Sequence, residues 1–255
     1  MLHRTEKNAP MLKPLPLLLA LVLPLALAGT ASSPAVATGA AAAGAPAAAA
    51  PAGTARRGAA PTDPASFRPT VDQQGAARMV YGVLSDSRYA YTPKPLDDKL
   101  SVAIFRRYLE MLDGQRLFFT QADIDAFRVH QGRLDDAIKG QGLQPAFDLY
   151  TRYMQRVAER VAFARQRLKG DFDFATDLVW RYEREDAPWA ADSAELDALW
   201  EKYVKNDWLR LQLAGRTPDE IRRTLDKRYA QMATRVAQLK PEDAFETFMN
   251  AYTES

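Results

Sequence analysis

The 255-residue chain contains no cysteine. That excludes disulfides, thiolate metal sites and a cysteine nucleophile, and it removes the residue a lipoprotein anchor needs just after a leader. Histidine is nearly as scarce, with two in the chain. His3 belongs to a leader-like segment, and His130 stands alone at the end of a helix near the favourable C-terminal dipole. A single histidine builds neither a His-based metal site nor a Ser-His-Asp triad. No G-x-S-x-G and no S-x-x-K occurs, so neither common serine-nucleophile signature is present. Period-2 alternation is also missing, apart from a short D-F-D-F at Asp171–Phe174, so strands are not expected. No internal repeat stands out, which disfavours a solenoid.

Excess charge is lacking too. The formal net charge of +2 comes from the leader, where Arg4, Lys7 and Lys13 face Glu6; the remainder holds 31 basic and 31 acidic residues. A balanced body gives no argument for nucleic acid as a partner.

The first 31 residues carry that basic start, then an apolar run of 14 residues from Leu15 to Ala28, then small residues at Ala26, Ala28, Gly29 and Ala31. That order is the pattern of a secretory signal peptide, with cleavage expected after Ala28 or Ala31. The run falls short of the ~20 residues that span a bilayer, and Pro16 and Pro24 weaken a spanning helix. No stable membrane span is therefore expected after cleavage. Residues 32–66 are almost all Ala, Pro, Gly, Ser and Thr, with too few large apolar groups to offset the entropy of ordering. They are expected to be a disordered arm.

Residues 67–255, roughly 190 residues, are enough for one core. Their period is helical, and the expectation is an all-α, irregular bundle of about seven or eight helices. Met79, Val80, Val83 and Leu84 mark a first helix. Leu100, Ile104, Tyr108 and Leu112 mark a second, which Asp113-Gly114 ends, with Gly114 as the left-handed residue. Thr120 and Asp123 form a variant capping box for a third. Phe147, Tyr150, Met154, Val157, Val161, Ala164 and Leu168 form a heptad-like seam along the fourth. Its expected partners are a helix opened by Asp192 and Glu195 and stopped by Gly215, and one opened by Thr217-Pro218-Asp219-Glu220. A last helix begins at Pro241. Its Phe245, Phe248, Met249 and Tyr252 are where an uncovered apolar patch is expected.

Chemistry is sparse. Lys99 and Ser101 are two residues apart on a helix, point to different faces and read as surface positions. The carboxylate pairs Asp123/Asp125, Asp135/Asp136 and Asp171/Asp173, and the cluster Glu183, Glu185 and Asp186, lie among Arg or Lys and read as solvated faces and caps. Arg152, Arg156 and Arg160 form a stripe that reads as a solvated face opposite the seam or as an anionic partner surface, the former being favoured. Trp180–Trp189 reads equally as an interface loop and as an ordinary packed loop. No catalytic, cofactor-binding or metal-ligating residue is assigned from these patterns.

One stretch goes further. Leu109 to Phe127 contains L-D-G-Q-R-L-F-F-T, and with it come Asp97–Leu112, Leu143–Ala164, E-R-E-D-A-P-W at Glu183–Trp189, Lys205–Gly215 and Phe245–Ser255. Together these segments, spread over about 180 residues, resemble the helical N-terminal region of tail-specific proteases, the periplasmic carboxy-terminal processing enzymes. The resemblance implies a region that precedes a PDZ domain and a protease domain with a Ser–Lys dyad. It implies protein substrates with nonpolar C-termini, a role in framing the substrate path, and docking of a lipoprotein adaptor. None of the dyad residues has a counterpart here, so 67–255 is expected to be an inactive piece of such an enzyme. The alternative is a free-standing periplasmic binding or adaptor protein.

Overall fold

Local capping chemistry decides where most helices begin. The computed structural model describes residues 67–90, 92–175 and 178–255; the expected signal peptide and Ala/Pro-rich arm lie outside them. Thr70 opens α1 (Val71–Ser85) with a capping box to Gln73. Asp97 accepts the Leu100 N–H at 2.9 Å and opens α2 (Asp98–Asp113). Thr120 opens α3 (Gln121–Arg128), and Asp123 reaches back to the Thr120 N–H at 3.0 Å, as its sequence predicts. A short α4 (Leu134–Asp136) runs into a π-helical turn (Ala137–Gln141) that no sequence signal marks. Then follow α5 (Gln144–Arg167), α6 (Ser193–Leu213), α7 (Pro218–Ala237) and α8 (Pro241–Thr253). Glu220 holds the Thr217 N–H at 2.9 Å and Asp243 the Lys240 N–H at 2.6 Å. Glu195 instead reaches one residue further back than a capping box would, to the Ala191 N–H at 2.7 Å. Among the described residues there is no strand, only an isolated bridge between Thr120 and Ala190. The all-α expectation holds, and D-F-D-F is irregular chain.

The length of α5 explains the architecture. Its 24 residues span about 36 Å, enough for two successive cores. The N-terminal half meets α2 and α8, in a core that α1 joins through the π turn and that buries Ile104, Tyr108, Phe147 and Phe248. Tyr108 donates its hydroxyl to the Ala146 carbonyl at 3.0 Å and meets Phe248 edge-on at 5.4 Å. The C-terminal half carries Val157, Val161 and Ala164 against Trp200 and Val204 of α6 and Ile221, Leu225 and Tyr229 of α7. From Val157 onward the heptad-like seam faces α6 and α7 as expected, but Phe147 and Tyr150 lie in the first core instead. Each fully buried Leu, Ile, Val or Phe contributes about 1.5–3 kcal/mol, so two such clusters are enough to drive folding. Among the described residues no helix is long and apolar enough to cross a membrane.

Three expectations need correction. The patch on α8 is not open: Phe248, Met249 and Tyr252 are buried, and Phe245 packs beside them, because α2 and α5 cover that face. On α1 the apolar face splits. Ala77 is fully buried, while Met79 and Val83 point to solvent. The third concerns Gly114, which is right-handed, with φ −60° and ψ −25°. The left-handed residue is Arg116, at φ 52°. Gly114 is needed for a different reason: a Cβ there would sit 2.8 Å from the Glu110 carbonyl oxygen. Because that neighbour is backbone and cannot swing away, Gly114→Ala is expected to cost on the order of 1–3 kcal/mol. A lower urea midpoint with an unchanged slope would show it.

Candidate functional site

Asp113, the last residue of α2, is buried. Its Oδ1 accepts the Leu117 N–H at 2.7 Å, and its Oδ2 accepts those of Phe118 and Phe119, both at 2.9 Å. Gathering three successive N–H groups on one carboxylate curls the chain tightly, which forces the reversal at Arg116. Burial pushes the Asp113 carboxyl up to about 7, against the pull of the three N–H groups and of the Arg184 charge. The curl points Phe118 and Phe119 into the joint between the two cores. Phe118 meets Tyr153 and Trp200, and Phe119 meets Tyr153 and Trp189. Trp200 donates its indole N–H to the Leu117 carbonyl.

The E-R-E-D-A-P-W segment folds onto this turn, some seventy residues away in sequence. Gln115 Oε1 accepts the Arg184 N–H at 3.2 Å. The Arg116 guanidinium donates to the Ala187 carbonyl and stands over the Trp189 ring at 5.1 Å. The Gln121 N–H donates to the Ala190 carbonyl at 2.7 Å. Residues 179–190 thus form a strap pinned at its C-terminal end. The packed-loop reading holds for the inner side of this segment, and its outer side is exposed. Between the strap and α6 lies an open cleft of about 910 Å³. Its walls carry Trp180, Pro188 and Leu199 beside Arg184 and Lys202, with Glu183, Glu185, Asp186 and Glu195 on the same lining. An aromatic chain connects it to the turn: Trp180 to Tyr203 at 5.4 Å, Tyr203 to Trp200 at 4.9 Å, Trp200 to Phe118 at 5.7 Å.

The other residues weighed from sequence fall elsewhere. Ser101 is fully buried rather than a surface position: its hydroxyl donates to the Gln131 carbonyl at 2.8 Å and accepts the Leu134 N–H at 2.7 Å, while Lys99 is exposed. His130 lies in the turn after α3, its N–H bonded to the Phe127 carbonyl. Of the carboxylate pairs, Asp123 and Asp135 are buried and salt-bridged, whereas Asp125 and Asp173 are exposed. Among the described residues no group of three or more His, Cys, Asp or Glu is placed to hold a metal ion.

The arginine stripe is neither a free face nor an open anion site. Arg156 holds Asp123 through Nε at 2.7 Å and Nη2 at 3.0 Å, and it also reaches Glu159. Arg152 lies 3.5 Å from Asp123, and buried Arg160 pairs with Asp197 of α6. These side chains stitch α5 to its neighbours. Burial pushes the Asp123 carboxyl up, but Arg156 and the Thr120 N–H and hydroxyl outweigh it and hold it below the usual range. Arg156→Ala would leave Asp123 buried with weaker compensation, for a loss of about 2–3 kcal/mol at pH 7. A lowered carboxyl stabilises above its unfolded value, and that contribution fades as pH falls through the folded one. The difference between the two proteins in urea unfolding should therefore shrink in acid.

Two functional-looking groups were not marked by the sequence. Asp113 reads there only as a helix stop. Asp207, one residue before Trp208, accepts the Tyr229 hydroxyl at 2.9 Å and pairs with Arg228, pinning α6 to α7.

The E-R-E-D-A-P-W part of the strap and the turn that anchors it both lie among the segments that carry the family resemblance. A family model described as the tail specific protease N-terminal domain matches residues 83–255. The tail-specific protease of Haemophilus influenzae is 34% identical over 163 residues, which is 64% of this chain. The chain spans about a quarter of that relative, 24% of its length. The match over the last three residues of α1 and all of α2–α8 establishes that this chain belongs to the tail-specific protease family, as its N-terminal helical domain.

Proposed function

We propose that residues 67–255 are the non-catalytic helical part of a periplasmic C-terminal processing serine protease, shaping the path of its substrates and docking partners. The substrates are proteins with nonpolar C-termini, and the partners are the enzyme's own PDZ and protease domains and a lipoprotein adaptor. No residue of this chain is assigned to the bond-breaking step. The observation that carries this reading is convergence: D-G-Q-R-L-F-F-T and E-R-E-D-A-P-W, far apart in sequence, meet to anchor one open cleft. A strap pinned at one end and exposed on its outer face suits contact with another polypeptide. The leader of residues 1–31 supports export, and with it the periplasmic assignment.

The test is genomic first, then enzymatic. The reading frame after the Ser255 codon is expected to continue into a PDZ segment and a Ser–Lys protease segment. The 255-residue chain alone is expected to leave an unfolded reporter with a nonpolar C-terminus intact, while the longer product degrades it. A stop codon with no such frame nearby would sink the reading and favour a free-standing adaptor.

A further inference from the structure

We propose that the outward face of α1, built on Val71, Gly75, Met79 and Gly82, is covered by an apolar helix from the polypeptide that follows Ser255. The occupant rests on the reading above, in which the chain continues past that residue; the face itself does not.

α1 is apolar on two sides. At 3.6 residues per turn, Val71, Gly75, Met79 and Gly82 share one quarter of the helix, opposite Gln73, Ala77, Val80 and Leu84. The second set faces the first core. The first set faces outward: Val71 is 86% exposed and Met79 72%. Asp72 and Arg78 flank that quarter, and no polar side chain lies within it. A solvated helix face carries polar residues, and a helix apolar all round is a buried one.

The two glycines sharpen the inference. Gly75 and Gly82 sit inside a right-handed helix, where glycine is the weakest residue after proline. Nothing in the described fold asks for them: a Cβ at either position would meet no other side chain or neighbouring element within 4 Å. They lie two turns apart, on the same line as Met79. Glycines so placed let a second helix approach the α1 backbone closely, with the adaptable Met79 side chain filling the seam between them.

The size of the face decides the occupant. A 15-residue helix is about 22 Å long and about 10 Å wide. One such face falls well short of the about 800 Å² per partner that a separate protein or a second copy needs. A tethered segment needs far less, because its effective concentration reaches about millimolar. The end of α8 lies beside α1. Lys94, in the loop that follows α1, donates to the Ser255 carbonyl at 2.8 Å. Burial and then the neighbouring Tyr81 phenol of α1 push the Tyr252 hydroxyl up. About ten extended residues, at about 3.4 Å each, reach from there round a helix of that width. Length is not limiting, since this chain spans 24% of the Haemophilus influenzae relative. The family match covers only residues 83–85 of α1, so the resemblance does not account for this face.

Peroxide oxidation of Met79, read by peptide mass spectrometry, tests this on the 255-residue chain and on the product of the continued reading frame. Buried Met232 and Met249 are internal references that oxidise slowly in both. Met79 is expected to oxidise about tenfold more slowly in the longer product, the factor for a face covered roughly nine-tenths of the time. Gly82→Leu is expected to block the close approach and return Met79 in the longer product to within about twofold of the same variant at the shorter length. On the shorter chain, Gly75→Ala and Gly82→Ala are each expected to raise the melting temperature by about 2–4 °C, since the added Cβ meets nothing. Equal Met79 rates in the two products would overturn the proposal. So would protection in the shorter chain that grows with its concentration, which assigns the face to a second copy, or protection in the longer product that Gly82→Leu leaves intact. A lower melting temperature for either alanine variant would mean that the glycines serve the described fold, and would overturn it too. If Gly82→Leu fails to fold, the unmodified proteins and the alanine variants still decide. A stop codon after Ser255 sinks the protease reading and this proposal together, whereas equal rates in a genuine longer product sink this proposal alone.

Discussion

Asp113→Ala is expected to lower stability by on the order of 3–5 kcal/mol, the largest effect of any single substitution in the turn. The cost does not come from lost volume. It comes from stranding the N–H groups of Leu117, Phe118 and Phe119, all three of which end on this carboxylate. Phe119 is fully buried, so water cannot replace the acceptor there. Losing the curl would also release Arg116 from its left-handed conformation and so loosen the strap it holds. Asp113→Asn separates charge from shape. Burial raises the folded value to about 7 from an ordinary carboxylate value of 3.8. The folded state therefore binds the proton more tightly than the unfolded chain. The resulting stabilisation is complete below the unfolded value and is lost as pH rises through about 7. Urea unfolding across pH 4 to 8 is expected to show wild-type stability falling by a few kcal/mol from this group, with a flatter profile for Asp113→Asn. Equal slopes for the two proteins would mean that the carboxyl titrates at its ordinary value.

Trp200→Ala is the second. The side chain is buried in the second core and packs on Phe118 and Tyr203. Removing it is expected to cost about 3–5 kcal/mol, from lost burial and the cavity left behind. The Leu117 carbonyl also loses its indole donor. Trp200→Phe keeps most of the apolar contact and removes the donor, so a smaller loss of about 1–2 kcal/mol should isolate the hydrogen bond. Both variants should also shift the fluorescence of Trp180, because the Tyr203 ring lies between the two indoles. A Trp200→Ala protein as stable as wild type would show that the two cores do not depend on this brace.

The capping residues were legible in the sequence because capping is local. Thr120 with Asp123, Asp192, and Thr217 with Glu220 bond within three residues of themselves, and no distant contact competes. The seam of α5 was legible for a related reason: a 24-residue helix repeats its apolar spacing often enough to exceed chance. α4 and the π turn were not legible, because three plus five residues give no period to detect. The cleft was legible only as two unexplained segments. That 113–121 and 184–190 touch depends on the crossing of α2, α5 and α6, which no local spacing encodes.

By itself, the sequence determined the helical class, the starts of most helices, the family and the want of cysteine chemistry. Each of these is a matter of residue type or short-range spacing. Tertiary structure alone decided which charges are free. Arg152, Arg156 and Arg160 look solvent-facing on a helical wheel, yet Arg156 and Arg160 are drawn into ion pairs with Asp123 and Asp197 of neighbouring elements. Arg184 looks like one charge among many in E-R-E-D, yet it has a buried donor with no partner among the described residues. It likewise decided that Gly114 continues right-handed while Arg116 reverses the chain. Pairing and burial are set by groups that arrive from other helices, which a linear pattern does not record, and the reversal follows once Asp113 is buried and its carboxylate gathers the N–H groups of residues 117–119.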